Sequence, residues 1–158
     1  MEEQDKLFYD MLKVYLAQVD SALKISNILY EHSSENNELT GDDIICGLVY
    51  RLMIPMTQEE ITECMSNAEN ILDPDESEED DEDDEEQEEQ SRGDHSQEIK
   101  YEKPTISRQI KSNNCNCGIC SQVRVCLCNY NSFEPTDQLA QKFKDSIQTT
   151  CLEHKIYI

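Results

Sequence analysis

From residue 5 to 31 apolar side chains recur as Leu7, Phe8, Met11, Leu12, Tyr15, Val19, Ala22, Leu23, Ile25, Ile28 and Leu29, with neither Gly nor Pro among them. That spacing predicts one helix of about seven turns. The polar run at 32–38 ends it. Thr40-Gly41-Asp42-Asp43 then reads as an N-cap with a carboxylate at the third helical position. Ile44, Ile45, Leu48, Val49, Leu52 and Met53 supply the apolar face of a second helix, which Pro55 stops. Thr57-Gln58-Glu59-Glu60 matches a capping box, in which hydroxyl and carboxylate satisfy each other's free amides. Ile61, Cys64, Met65, Ala68, Ile71 and Leu72 follow on one face, closed by Pro74. Residues 1–72 are therefore expected to form a small helical module. A core of that size is marginal alone, so pairing with another chain, identical or different, is expected. Cys46 and Cys64 fall at apolar helical positions and read as small buried hydrophobes.

After Pro74 the apolar pattern stops. Residues 73–90 carry fourteen acidic side chains, no basic one, and a single Pro as their only apolar residue. Such a segment cannot bury enough surface to offset the entropy of ordering, so 73–98 is expected to be an acidic disordered linker. It is either a solvated spacer or an electrostatic bait for basic proteins, and Ser77 within it suits an acidophilic kinase. The formal net charge of the 158-residue chain is −22, which argues against a generic polyanion binder. With 37% hydrophobic residues and no Trp, the apolar content is thin for a large enzyme core. No apolar run approaches membrane-spanning length, and Met1-Glu2-Glu3-Gln4-Asp5 is acidic where a leader would be basic, so a soluble intracellular protein is expected.

The C-terminal segment has a third pattern. Gln122 to Tyr130 alternates and predicts a strand with Cys126 and Cys128 on one face. Asp137, Leu139, Ala140, Phe143, Ile147 and Cys151 predict an amphipathic helix starting near Thr136 or Asp137. Residues 99–158 thus read as a small α+β module in a mainly α chain. Six of the eight cysteines lie here, as Cys115-x-Cys117-x2-Cys120-x5-Cys126-x-Cys128 and Cys151-x2-His154. Without a secretory signal, structural zinc accounts for them better than disulfides do. A Cys-x-x-Cys turn sets two thiolates on one side of an ion, and Gly118 inside it is free to take a tight backbone angle. Seven candidate ligands result: Cys115, Cys117, Cys120, Cys126, Cys128, Cys151 and His154. The favoured set is Cys117 and Cys120 with two of Cys126, Cys128, Cys151 and His154, and two ions that share a thiolate or use another ligand are the alternative. His32 and His95 have no ligand-like neighbours along the sequence. Lys100, Lys103, Arg108, Lys111, Arg124, Lys142, Lys144 and Lys155 form a solvated basic face or a nucleic-acid contact, with Tyr101, Tyr130 and Phe133 available for stacking.

Met11-Leu12-Lys13-Val14-Tyr15-Leu16, leading through a long helix and a polar turn to Leu39-Thr40-Gly41-Asp42-Asp43-Ile44-Ile45-Cys46-Gly47-Leu48, resembles the second helix, second loop and third helix of histone-fold proteins. Thr40, Asp43, Ile44, Ile45, Gly47 and Leu48 occupy that family's pattern positions within residues 11–53, and Arg51 falls near the basic residue common in the family. The resemblance implies handshake pairing with another histone-fold chain. The chain departs from the family in having about six residues ahead of the long helix, and in carrying acids where the family grips DNA phosphates. There is no phosphate-cradling Gly-rich loop, no His-Glu-x-x-His helix and no nucleophile elbow, so no enzymatic activity is expected. The leading expectation is a nuclear interaction protein with a structural zinc site, serving a chromatin, transcription or genome-packaging assembly. Two alternatives are a thiol redox or metal-handling protein cycling Cys117 and Cys120, and an acidic chaperone or DNA mimic acting through the tract. The Asn- and Ile-rich composition suits an AT-rich genome such as a virus's, which would place the protein in a host cell or virion.

Overall fold

The computed structural model describes residues 2–35, 38–74 and 102–158. The expected linker beyond Pro74, with Ser77, His95, Lys100 and Tyr101, lies outside the described residues. Those described form five α-helices: α1 (Glu3–Glu31), α2 (Gly41–Met53), α3 (Gln58–Leu72), α4 (Gly118–Asn129) and α5 (Gln138–Glu153). A 3-10 turn at Tyr130–Ser132 follows α4, and two-residue strands β1 (Arg108–Gln109) and β2 (Ile156–Tyr157) pair in parallel. None of these helices is long and apolar enough to cross a membrane.

The first three helices begin and end where apolar period and capping chemistry place them. The Thr40 and Thr57 hydroxyls each accept from the backbone N–H three residues on, and the Asp43 and Glu60 carboxylates accept in turn from the backbone N–H of Thr40 and Thr57. Helix α5 starts with the Asp137 side chain accepting from the Ala140 N–H.

The expected strand at 122–130 is corrected to helix α4. Ile119, Cys120, Val123, Cys126, Leu127 and Tyr130 also recur at helical spacing, and Cys120, Val123, Cys126 and Tyr130 are the residues buried. Alternation over so short a run is compatible with either period. Gly118 has no positive φ and simply opens the helix.

The segments 1–72 and 99–158, expected as separate modules, meet in one core. Ile25, Leu29, Ile45, Cys46, Val49 and Tyr50 pack with Cys120, Val123, Cys126, Tyr130, Phe143, Ile147 and Cys151. Tyr15 stands edge-on to Phe143, with ring centroids 6.0 Å apart, tying α1 to α5. A smaller cluster of Ala17, Cys64 and Ala68 seats α3 against α1. Where α1 meets α2, Gly47 lies so close that a methyl there would overlap Ser26 Oγ and the Ala22 carbonyl. Arg108 joins the halves with a two-pronged ion pair to Asp42 at 2.8 Å, and the Lys111 N–H donates to the same carboxylate.

Candidate metal centre

The end of α1 and the start of α4 come together. His32 is the C-cap of α1, its N–H donating to Ile28 O, so the imidazole leaves the helix at its last turn. Cys117 is the N-cap of α4, its sulfur accepting from the Cys120 N–H at 3.4 Å. Cys120 faces the same way one turn later and is buried. Cys115 enters from the extended arm before α4.

The result is a group of one nitrogen and three sulfurs, His32 with Cys115, Cys117 and Cys120, whose ligand atoms all lie within 4.8 Å of one another. His32 Nδ1 is 3.3 Å from Cys117 Sγ, 3.5 Å from Cys120 Sγ and 3.6 Å from Cys115 Sγ. A ring nitrogen carries at most one proton, so a hydrogen bond accounts for only one of these approaches. A tetrahedral zinc ion with its usual bond lengths sets nitrogen and sulfur ligands about 3.6 Å apart. The residues fit such an ion in number, in donor type and in the distances from the imidazole nitrogen to the three sulfurs.

The surroundings favour both partners of that bond. The C-terminal end of α1 carries partial negative charge toward a cation, and the N-terminal end of α4 carries partial positive charge toward thiolates. The hydrogen bond from the Cys120 backbone N–H, chief among the influences on it, holds the Cys117 thiol down to about 6. Burial pushes Cys120 up to about 11 in the metal-free chain. A bound cation would take both as thiolates. With four protein ligands the site is closed, which suits a structural ion rather than one that activates water.

Of the seven candidates from the sequence, the structure brings together Cys115, Cys117 and Cys120. Cys126, Cys128, Cys151 and His154 lie outside this group. In a helix, residues two apart point to nearly opposite sides, so Cys126 is buried in the core while Cys128 is exposed. Cys151 is buried on α5 and His154 caps that helix at the surface. Burial raises the thiols of Cys126 and Cys151, and that of Cys46 to about 12, as for inert core cysteines. The expectation that His32 lacks a ligand-like neighbourhood is corrected, because its neighbours arrive from residues 83 to 88 positions away. The only signal in the sequence was a histidine placed just beyond the end of a long helix. No family model, curated protein or solved structure matches the chain.

Proposed function

We propose that this chain is a non-enzymatic interaction protein in which a structural zinc ion, held by His32, Cys115, Cys117 and Cys120, clamps the cysteine-rich segment onto the end of α1. The observation that carries this reading is the convergence of three sulfurs on one imidazole nitrogen at 3.3 to 3.6 Å. The clamp fixes the segment that follows the acidic tract against the helices that precede it. It thereby presents a helical surface and a strongly acidic segment together.

The helical surface supports the pairing part of the proposal. Leu7, Phe8 and Met11 on the first turns of α1 are 62%, 69% and 52% exposed, and Ile71 near the end of α3 is 63% exposed. A cluster of large apolar side chains in water suits a protein partner. A handshake of the histone kind, with a basic partner also engaging the acidic tract, is the form of assembly we favour, in a nuclear or viral chromatin, transcription or packaging context.

Elemental analysis of protein purified without chelator, with a parallel count of free thiols, tests the metal. About one zinc per chain is expected, falling toward zero in His32→Ala and Cys117→Ser. Absence of metal with paired, reducible cysteines would overturn the proposal in favour of thiol redox chemistry. Partner capture by the intact chain against a Leu7→Asp, Phe8→Asp double variant tests the surface, and equal capture by both removes the pairing role from α1.

A further inference from the structure

Four ligands place the ion, and two other side chains account for how its charge and geometry are held. Zinc with three thiolates and a neutral imidazole carries a net charge of −1. Each sulfur receives one N–H. The Cys117 backbone donates to Cys115 Sγ at 3.5 Å and the Cys120 backbone to Cys117 Sγ at 3.4 Å. Both come from the turn itself and need no particular side chain.

The third sulfur is served differently. Asn113 Nδ2 donates to Cys120 Sγ at 3.3 Å and to Leu29 O at 2.9 Å, while Asn113 Oδ1 accepts from the Cys115 N–H at 3.3 Å. Leu29 O would ordinarily pair with the N–H of Ser33, but that N–H turns to Tyr30 O as α1 ends. Asn113 therefore satisfies a carbonyl left without its helical partner at the end of the helix that carries His32, fixes the backbone of one ligand and touches the sulfur of another. Its amide orientation is set by these three bonds.

Arg124, one turn further along α4, reaches back to the same arm. It donates to Asn113 O at 2.9 Å, Cys115 O at 2.7 Å and Ser121 Oγ at 3.3 Å. Among the described residues its guanidinium has no carboxylate partner, so its positive charge is uncommitted beside a centre of net negative charge.

We propose that Asn113 and Arg124 are positioning residues of the metal centre: Asn113 aligns the Cys120 thiolate and locks the cysteine arm to α1, and Arg124 holds that arm and balances the charge. This rests on the metal reading above. Partners of this kind, when removed, cost about 10- to 100-fold in metal affinity.

Cobalt(II) titration of the full chain, followed by competition with zinc(II), tests it. The intact chain is expected to give the absorption of a tetrahedral sulfur-rich site, with sulfur-to-metal charge transfer in the near ultraviolet. Asn113→Asp keeps an acceptor for Cys115 but loses both donors and adds charge. It should weaken binding about 10- to 100-fold and move the charge-transfer band. Arg124→Ala should weaken binding, and Arg124→Lys should recover part of the loss. Asn114→Ala, at the exposed neighbour, should change neither reading. Asn113→Ser carries the same test if the Asp variant does not fold. A merely structural role would lower the stability of metal-free and metal-bound protein alike and leave the band in place, which would overturn the inference. So would unchanged affinity in the Asn113 variants. Failure of the intact chain to give a tetrahedral spectrum would instead remove the metal reading itself.

Discussion

At the scale of single residues, small side chains and one buried carboxylate decide how the helices sit. Gly47 touches the backbone of α1, so the added methyl of Gly47→Ala meets the Ala22 carbonyl, which cannot rotate away as a side chain would. The helices must part, and overpacking of this kind costs about 1–3 kcal/mol. A lower denaturant midpoint with an unchanged slope is the expected result, and an unchanged midpoint would count against the close approach. Asp42 is a second such residue. Burial works against its charge, yet the bonds from Arg108 and the Lys111 N–H outweigh that and hold its carboxyl below the usual range. A carboxyl with a lowered folded value adds stability above its unfolded value near about 4, and loses that contribution as pH falls through the folded one. Stability of the chelator-treated chain should therefore fall below about pH 4 more steeply than that of Asp42→Asn. Using metal-free protein separates this from acid release of a bound ion. Parallel curves for the two proteins would remove Asp42 from the acid response.

At the scale of elements, legibility followed the range of the interaction. The caps at Thr40, Thr57 and Asp137 act within three residues, so the sequence spells out both partners of each bond. Replacing Thr40 by Ala removes the hydroxyl that accepts from the Asp43 N–H and donates to the Asp43 carboxylate, leaving only the backbone N–H bond of the box, and should cost about 1 kcal/mol, read as a lower thermal midpoint. An unchanged midpoint would mean that tertiary contacts alone hold the start of α2. Helix α4 was harder. Val123, Val125 and Leu127 alternate with polar or small residues as in a strand, and β-branched residues strengthen that appearance. The burial of Cys120, Val123, Cys126 and Tyr130, with Ile119 and Leu127 packed beside them, decides for the helical stripe. His32 was illegible for a different reason. No cysteine or second histidine lies within a helical turn of it, and its three sulfur neighbours are brought in by the packing of α4 on α2. Asn113 and Arg124 share that dependence, being ordinary polar residues until the arm is folded back on α1.

At the scale of the whole molecule, the shared core and, on the proposed reading, the metal centre are two fastenings between the same parts of the chain. The core joins α1 and α2 to α4 and α5 by apolar contact, and an ion in the candidate centre would join His32 to an arm whose first ligand, Cys115, lies 83 residues later. Closing a loop of that length removes chain entropy from the unfolded state worth about 4–5 kcal/mol, if an ion-held crosslink behaves as a covalent one does. For a chain of this size that corresponds to a thermal shift of about 10–15 °C. Chelation should therefore lower the unfolding midpoint by roughly that amount without abolishing cooperative unfolding, since the core and helix caps remain. The loss should also be uneven. Hydrogen exchange in the metal-free chain should accelerate most in the arm from Lys111 to Cys120 and the first turn of α4, where the ligands and their N–H donors lie. The facing parts of α1, α2 and α3 keep Ala17, Ala22, Val49, Cys64 and Ala68 buried and should change least. Uniform acceleration would mean that the centre holds up the entire fold, as in a zinc finger that is unfolded without its ion. No acceleration and no shift would mean that the four ligand atoms converge without contributing to stability, and the clamp would then have to be abandoned as the reason for their arrangement.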